Sequence, residues 1–307
     1  MQNRSKGNAQ GIDVSHWQGN IDWRKVAASG ISFAFIKATQ NSMDPQFLAN
    51  VKGAKAAGMM IGAYHYMDDS VTTVDKALAA AQVFYKAIQA AGGPGVFDLP
   101  FVLDYESNKN KLMSATITAI AKAFLVETHR LTGGEPMLYT YPSFIGNFSG
   151  LIGYPLWIAR YSSQVPVDAS GWKHWDFWQY SDGKVGGTLP SGERKVLGIN
   201  GPVDLNEFDG TIEQLRSSYC KKETGKEDVK MPETTRDINK VSSWAAKDWD
   251  EATENGYFDG THPGATMTRE ESAIVFNRLR KNFLVLIGGN TERITALERQ
   301  LQTIEKE

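Results

Sequence analysis

The 307-residue chain has a single cysteine, Cys220, which excludes an intramolecular disulfide. No apolar run approaches the roughly 20 residues that span a bilayer. The five histidines show no HExxH pair or similar ligand spacing, which disfavours a zinc hydrolase. Acids and bases nearly balance, so nucleic-acid binding gains no electrostatic support. The polar start MQNRSKGNAQ lacks the apolar segment of a secretory signal. We therefore expect synthesis in the cytoplasm, no membrane or nucleic-acid partner, and neither cofactor nor metal.

Eight short apolar or aromatic runs that end in polar residues recur along the first two thirds of the chain. They span residues 11–17, 31–39, 60–67, 100–106, 137–142, 156–161, 176–181 and 203–208. Amphipathic stretches lie between the early runs, at 47–58, 74–93 and 115–134, and Gly pairs close the latter two as helix caps. This alternation predicts parallel βαβ units. We expect an α/β fold, an irregular TIM-like barrel of the form (β/α)5β3, because the last three runs are joined by loops without helical periodicity.

The composition changes after the last of these runs. Residues 217–235 are rich in charge and poor in apolar side chains, which is typical of a solvated linker. Residues 236–282 then predict a small α-helical domain, in which TREE (268–271) forms a capping box before the apolar positions Ala273, Val275, Phe276 and Leu279. In residues 283–307, the spacing of three and four between apolar residues predicts a short coiled-coil seam of Ile294, Leu297, Leu301 and Ile304. We thus expect a barrel over 1–216, a linker, a helical module and an oligomerising tail.

Polar side chains collect at the ends of the eight runs, where TIM barrels carry their catalytic groups. They are Asp13, Lys37, His65, Tyr66, Asp104, Glu106, Tyr139, Tyr141, Arg160, Gln179, Tyr180, Asp204 and Glu207. Residues two apart face the same side of a strand, so Asp104 and Glu106 should both face the barrel mouth. Closure makes the first and eighth strands neighbours, which should bring Asp13 and Asp204 to the same mouth.

Four carboxyl groups in one mouth should raise at least one carboxyl pKa, above all where aromatic side chains shield them. The candidate shielding residues are Trp17, Tyr64, Tyr139, Trp157 and Trp178. One acid kept protonated beside others kept ionised is the equipment for splitting a glycosidic bond. Sequence alone therefore favours glycoside hydrolysis.

The same residues are compatible with several different roles. Any one acid could instead cap a helix or pair with Lys37 or Arg160. A divalent-metal site is a second alternative, which the surrounding Trp and Tyr residues disfavour because they suit stacking on sugar rings. A carbohydrate-binding protein without turnover, or an amidase or peptidase acting on the same polymer, would also fit part of the pattern.

The ordered motifs GIDVSHWQGNIDW, FAFIKAT, GAYHY, PFVLDYE, YTYPSF, LWIARY, WQYSD and VDLNEF, from residue 11 to 208, resemble the successive strands of glycoside hydrolase family 25 lysozymes of the phage endolysin type. The resemblance implies that Glu106 is the general acid and that Asp104 assists it, with Asp13 and Asp204 completing the acidic group. The substrate-binding residues expected are Tyr64, Tyr139, Trp157, Arg160, Gln179 and Lys37.

That family cleaves the β-1,4 bond between N-acetylmuramic acid and N-acetylglucosamine in peptidoglycan with retention. Attack by the substrate's own acetamido group and attack by a carboxylate are both open as the nucleophilic step. The implied role is lysis of a host cell wall after release from the cytoplasm through a holin.

The C-terminal motifs SSWAAKDWDEATENGYFDGT (242–261) and MTREESAIVFNRL (267–279) resemble one S-layer-homology repeat, a module that holds cell-wall polymers. A secondary wall polymer is the implied partner, and a helical module without a ligand is the alternative. Residues 283–307 could join chains to one another. If Lys226, Glu227 and Asp228 are encoded as a ribosome-binding sequence, translation could restart at Met231 and supply a free module as partner. An incidental methionine in a linker is the alternative there.

Overall fold

A computed structural model describes residues 1–166, 171–184, 189, 192–193, 195–219, 241, 246–261, 272–285, 287–288 and 294. The chain divides into two compact units, Met1–Thr224 and Gly225–Glu307. Residues 217–219 of the expected linker belong to a helix of the first unit, which ends at Tyr219. The rest of the linker with Met231, the TREE box and most of the apolar positions of the tail lie outside the described residues.

The first unit is a closed barrel of eight strands that follow one another around the ring in chain order. The strands are β1 (Gln10–Val14), β2 (Ile31–Thr39), β3 (Met60–Tyr66), β4 (Phe101–Asp104), β5 (Pro136–Thr140), β6 (Leu156–Ala159), β7 (Phe177–Ser181) and β8 (Asp204–Phe208). Each coincides with one of the runs expected from the sequence. The expectation of a closed α/β barrel is confirmed.

Strand direction differs from the expectation at one place. Neighbouring strands from β1 to β7 are parallel, but β8 runs antiparallel to both β7 and β1. The start of β8, not its end, therefore lies at the mouth. Asp204 is the register partner of Asp13 there, whereas Glu207 pairs with Gln10 at the other end of β1. The expectation that Glu207 lies at the mouth is wrong.

The helices of this unit are α1 (Trp23–Ala28), α2 (Phe47–Ala56), α3 (Val74–Ala90), α4 (Ser114–Thr132) and α5 (Ile212–Tyr219). The first four follow the first four strands, and β5 is followed by a 3-10 turn, Ile145–Asn147. Within the described part of the segments joining β5 to β8 there is no α-helix, so the count of five βα units is not confirmed.

Helix α3 shows how the sequence sets these boundaries. The Thr73 side chain accepts a hydrogen bond from the backbone N–H of Lys76, which satisfies a donor that the first turn leaves free. The buried positions then recur every three or four residues, which places one apolar stripe on the barrel. They are Ala77, Ala80, Ala81, Phe84, Ala87 and Ile88.

Aromatic rings fill the inside of the barrel. Phe35 stacks on Trp157 at 4.4 Å between centroids, and Phe33 meets the edge of Phe177 at 5.3 Å. Gly11 makes room for this layer, because a Cβ there would lie 2.2 Å from the Phe33 ring. The barrel is therefore a packed core below its mouth and not a pore.

The N-terminal segment packs on the outer face of β7 and β8. Arg4 forms an ion pair of 2.7 Å with the buried Glu207, and its guanidinium lies 3.9 Å from the centre of the Tyr180 ring. Asn8 also donates to Glu207. Glu207 thus has a structural role in charge pairing.

The second unit contains α6 (Ala246–Glu254) and helical residues 272–285. Trp249 of α6 stacks on Phe258 at 5.1 Å, and Arg278 donates to the carbonyls of Gly256 and Tyr257 after α6. Among the apolar positions expected to form its core, Phe276 is 67% exposed. No helix within the described ranges combines the length and apolar character needed to cross a membrane.

Candidate active site

The alternation of side chains along each strand selects which polar residues reach the mouth. On β1, Ile12 and Val14 pack outward against helices, so Asp13 faces inward. On β4, Val102 faces the interior, and Asp104 and Glu106 follow at steps of two. With Asp204 at the start of β8, all four acids line one cleft of about 220 Å³. The structure therefore brings together the four acids expected from the sequence.

Asp13 is held by two amide donors at the floor of the cleft. Its Oδ2 accepts hydrogen bonds from Gln179 Nε2 at 2.8 Å and from Asn206 Nδ2 at 2.7 Å. Burial raises the pKa of Asp13 to about 6, and these two hydrogen bonds limit the rise. Asp13 is thus ionised at neutral pH, because both amides favour the charged form.

The amide donors are themselves oriented by neighbours. The hydroxyls of Tyr139 and Tyr161 both donate to Gln179 Oε1, at 2.9 and 3.1 Å. Trp157 Nε1 donates to Asn206 Oδ1 at 2.8 Å. Each amide oxygen is therefore occupied by a donor, which turns each NH₂ group toward Asp13.

Asp204 keeps its proton beside the ionised Asp13. Burial raises the pKa of Asp204 to about 9, and the negative charge of Asp13 adds to the rise. The two carboxyl groups are hydrogen-bonded to each other. At neutral pH this pair therefore holds one proton, on Asp204, and one negative charge, on Asp13.

Asp104 and Glu106 form the second acidic pair. Burial raises the pKa of Asp104 well above its usual range, and the charge of Glu106 adds to the rise. Burial and the charge of Asp13 raise the pKa of Glu106, and Lys37 opposes both increases. Asp104 is buried with one carboxyl oxygen lacking a protein partner, whereas Glu106 is half-buried and open to the cleft. Glu106 is therefore the better placed to exchange a proton with a bound molecule.

Aromatic side chains form the walls of the cleft, as the sequence predicts for most of them. Tyr64, Tyr139 and Trp157 line it together with Lys37 and Gln179. At the rim, Trp17 is 80% exposed. Its turn is fixed, since Ser15 caps it and His16 Nδ1 lies 2.6 Å from Asp44 Oδ2. A rigid, exposed indole provides a flat surface for an apolar ring face.

Two residues expected at the mouth from strands β6 and β7 face elsewhere. Since Trp157 and Ala159 of β6 face inward, Arg160 turns away from the barrel interior, and its guanidinium contacts Gln164 and does not line the cleft. The indole of Trp178 packs outward against Trp175. Neither Arg160 nor Trp178 lines this cleft, because the period of two places both on the outer face.

His65 is also on the outer face of the barrel. Its side chain is fully buried and stacks on Phe124, and its Nδ1 lies 2.7 Å from Thr39 Oγ1. Burial lowers the pKa of His65 to about 3. It is a neutral core residue and not part of the cleft.

Several cleft residues were not singled out from the sequence as catalytic or substrate-binding. They are Ser15, Gln18, Tyr66, Tyr161 and Asn206. Asn206 could have been found from the sequence, because it lies two positions after Asp204 on the same strand and therefore on the same face. Within the described residues, no group of three or more His, Cys, Asp or Glu side chains is arranged to hold a metal ion.

Comparison with known proteins decides the family. The family model for glycosyl hydrolases family 25 matches residues 12–187. The chain belongs to this family. It is 35% identical over 220 residues to Lysozyme M1 of Streptomyces globisporus, a match that covers 67% of this chain and 69% of the relative. It is 33% identical over 213 residues to an N,O-diacetylmuramidase of Chalaropsis sp, covering 64% of this chain and 95% of the relative.

The crystal structure of a bacterial lysozyme from Streptomyces coelicolor matches with a TM-score of 0.56 at 33% identity, over 69% of this chain and 96% of that one. The protein is therefore a glycoside hydrolase of the lysozyme type. In the cleft of this family 25 enzyme, amide donors keep Asp13 ionised, and burial raises the pKa values of Asp104, Glu106 and Asp204.

Proposed function

We propose that the protein is an N-acetylmuramidase, which cleaves the β-1,4 bond between N-acetylmuramic acid and N-acetylglucosamine in peptidoglycan. The observation that carries this proposal is the convergence of Asp13, Asp104, Glu106 and Asp204 on one cleft walled by tyrosine and tryptophan. Family membership narrows the substrate to a glycan, and the names of the lysozyme and muramidase relatives support peptidoglycan.

In this mechanism Glu106 donates its proton to the oxygen of the leaving sugar. It is half-buried and lines the cleft, so a bound glycan can reach it, and burial and the charge of Asp13 raise its pKa, which favours the protonated form that an acid needs. A positioned general acid contributes about 10²- to 10⁴-fold in rate. Glu106 is thus the residue on which bond cleavage depends most.

Asp13, the acid that its two amide donors keep ionised, would stabilise the positive charge that develops on the sugar ring. Asp104 precedes Glu106 on the same side of the strand and lines the cleft. Its carboxyl group could accept a hydrogen bond from the acetamido N–H during internal attack or, once it has lost its proton, could itself attack the sugar. Both routes give net retention.

The test is the variant Glu106→Gln in the full chain on purified peptidoglycan. We expect the release of reducing ends to fall at least about 100-fold while wall binding is retained, because the amide cannot act as an acid. Glu213→Gln, on the exposed face of α5, is the matched control and should keep full activity. Release of new amino groups in place of reducing ends would instead identify an amidase or peptidase. Full clearing by Glu106→Gln would exclude Glu106 as the acid.

We further propose that this muramidase acts as an endolysin, made in the cytoplasm of a host and released to the wall through a holin. Its expression in a host should cause lysis only when the membrane is permeabilised at the same time. Lysis without permeabilisation would contradict this role.

We propose that the second unit is an S-layer-homology-like module that binds a secondary wall polymer, joined to the barrel by the part of the expected linker that follows α5. Two observations support a folded module over part of 236–282. Trp249 stacks on Phe258, and Arg278 donates to the carbonyls of the two residues that precede Phe258. A chain ending at Thr224 should then lose wall binding while it still cleaves short glycans. Undiminished wall binding would show that the barrel alone holds the wall.

We also propose that residues 283–307 join chains to one another. A shorter chain translated from Met231 would associate with the full chain through these residues. The native gene should then give two bands, with the smaller lost in Met231→Leu. A single band would exclude the internal start.

A further inference from the structure

Lys37 is the one basic side chain among the described residues that line the cleft. It points inward from β2 because Phe33 and Phe35, at steps of two before it, face the barrel interior. Its Nζ lies 4.8 Å from the centre of the Tyr66 ring and donates a hydrogen bond of 3.1 Å to Gln40 Oε1. The ammonium group is therefore tethered at the edge of the acidic cleft.

Gln40 connects Lys37 to a carboxylate outside the cleft. While its Oε1 accepts from Lys37, its Nε2 donates to Asp68 Oδ2 at 2.8 Å. The other oxygen of Asp68 accepts from the backbone N–H of Ser70 at 2.9 Å. Both ends of the amide are matched to their partners, so only one orientation of Gln40 satisfies them.

This bridge keeps the charge of Asp68 away from Lys37. The hydrogen bond from Gln40, followed by that from Ser70, lowers the pKa of Asp68 to about 2, so Asp68 is ionised. In the part of the chain that the structure describes, no carboxylate is within ion-pair distance of Lys37 Nζ. A carboxylate at position 40 would form such a pair directly. The neutral amide therefore leaves the charge of Lys37 available to the cleft.

The other groups that face Lys37 and its acids cannot replace that positive charge. Asp104 and Glu106 face it from β4, and Asp13 and Asp204 lie across the floor on β1 and β8. Of the remaining titratable neighbours, the tyrosines are neutral, since burial raises the pKa of Tyr66 to about 12 and also raises that of Tyr139 well above its usual range. His65, behind β3, is neutral as well.

We propose that Gln40 is a positioning residue, which holds Lys37 at the edge of the cleft that Asp104 and Glu106 line without neutralising it, and so sets the pH range in which the enzyme works. The inference rests on the proposed function, in which Glu106 is the general acid. Lys37 opposes the effect of burial on both acids. Weakening its charge would therefore let Glu106 keep its proton to higher pH.

The test is the pH dependence of kcat/KM for Gln40→Glu in the full chain. The new carboxylate pairs with Lys37, and we expect the alkaline limb to move upward by about one pH unit. Lys37→Met removes the charge itself and should move the limb in the same direction. In Asp68→Asn the acceptor for Gln40 remains, so the limb should move by less than about 0.3 unit.

An unmoved or lowered limb in Gln40→Glu would overturn the proposal, even if kcat falls. Should Gln40→Glu not fold, an unmoved limb in Lys37→Met overturns it equally. NMR titration of the Glu106 carboxyl carbon in the full chain provides a readout independent of turnover. If the Glu106 pKa is higher in Gln40→Glu than in the parent protein, the positioning role is supported. If the parent protein at the same time releases no reducing ends from peptidoglycan, muramidase activity is refuted.

Discussion

The carboxyl pair of Asp13 and Asp204 should lower the stability of the protein at neutral and alkaline pH. Asp204 has a pKa of about 9 in the fold, against 3.8 for an ordinary aspartate. When folding raises the pKa of an acid, its contribution to the free energy of unfolding is fully present only at a pH below its unfolded pKa. That contribution is lost as the pH rises from about 4 toward 9. Replacing Asp204 by asparagine should remove this loss.

The size of the effect follows from the pKa difference. An acid with such a raised pKa lowers the free energy of unfolding by about 1.4 kcal/mol for each pH unit above its unfolded pKa, which gives up to about 4 kcal/mol at pH 7. Asp204 is only partly buried and shares its proton with Asp13, so we take about 1–3 kcal/mol. For a unit of this length, that is an increase in Tm of roughly 3–8 °C.

The assay is thermal unfolding of Asp204→Asn and the parent protein at half-unit steps from pH 4.5 to 8. The asparagine NH₂ can still donate to Asp13, so the hydrogen bond that protonated Asp204 makes is kept. We expect the difference in Tm to grow steadily with pH. Asp75→Asn, at an exposed position of α3, should give a flat difference. A constant difference for Asp204→Asn would refute the shared proton.

Three further outcomes are expected. Asn206→Ala removes a donor to ionised Asp13, so the acid limb of kcat/KM should move upward by about one unit. Arg4→Met leaves Glu207 buried without its ion pair, and chemical denaturation should show a loss of about 2–4 kcal/mol, against little change for the exposed Lys25→Met. Trp17→Ala removes the rim indole, and KM for polymeric peptidoglycan should rise about 5- to 20-fold with little change in kcat.

Each of these has an outcome that contradicts it. An acid limb that stays in place in Asn206→Ala would mean that the amide does not set the charge of Asp13. Unchanged stability in Arg4→Met would show that Glu207 is solvated in solution. A fall in kcat alone in Trp17→Ala would place the indole at the reacting sugar and not at the rim.

Much of the barrel could be predicted from the sequence because its strands carry strong local signals. The run ISFAFIKAT coincides with β2 from Ile31 to Thr39. The direction of β8 could not be predicted, because alternation is the same when a strand is read in either direction. The chain from 182 to 203 is long enough to enter the sheet from either end. Glu207 was placed at the mouth for that reason.

The acids of the site were predictable from strand ends, and the errors came from side-chain direction. Arg160 and Trp178 were expected at the mouth because of their position along the strand, without regard to the direction of their side chains. The period of two separates Trp157 and Gln179, which face inward, from Arg160 and Trp178, which do not. The contacts of Gln40 depend on two loops that meet only in the fold, so no spacing in the sequence signals them.

The most direct measurement is mass spectrometry of the fragments that the full chain releases from purified peptidoglycan. If Glu106 and its neighbouring acids cleave the proposed bond, every new fragment should carry N-acetylmuramic acid at its reducing end, and Glu106→Gln should release none. Fragments that end in N-acetylglucosamine, or intact glycan strands freed from their peptides, would contradict the proposed muramidase activity.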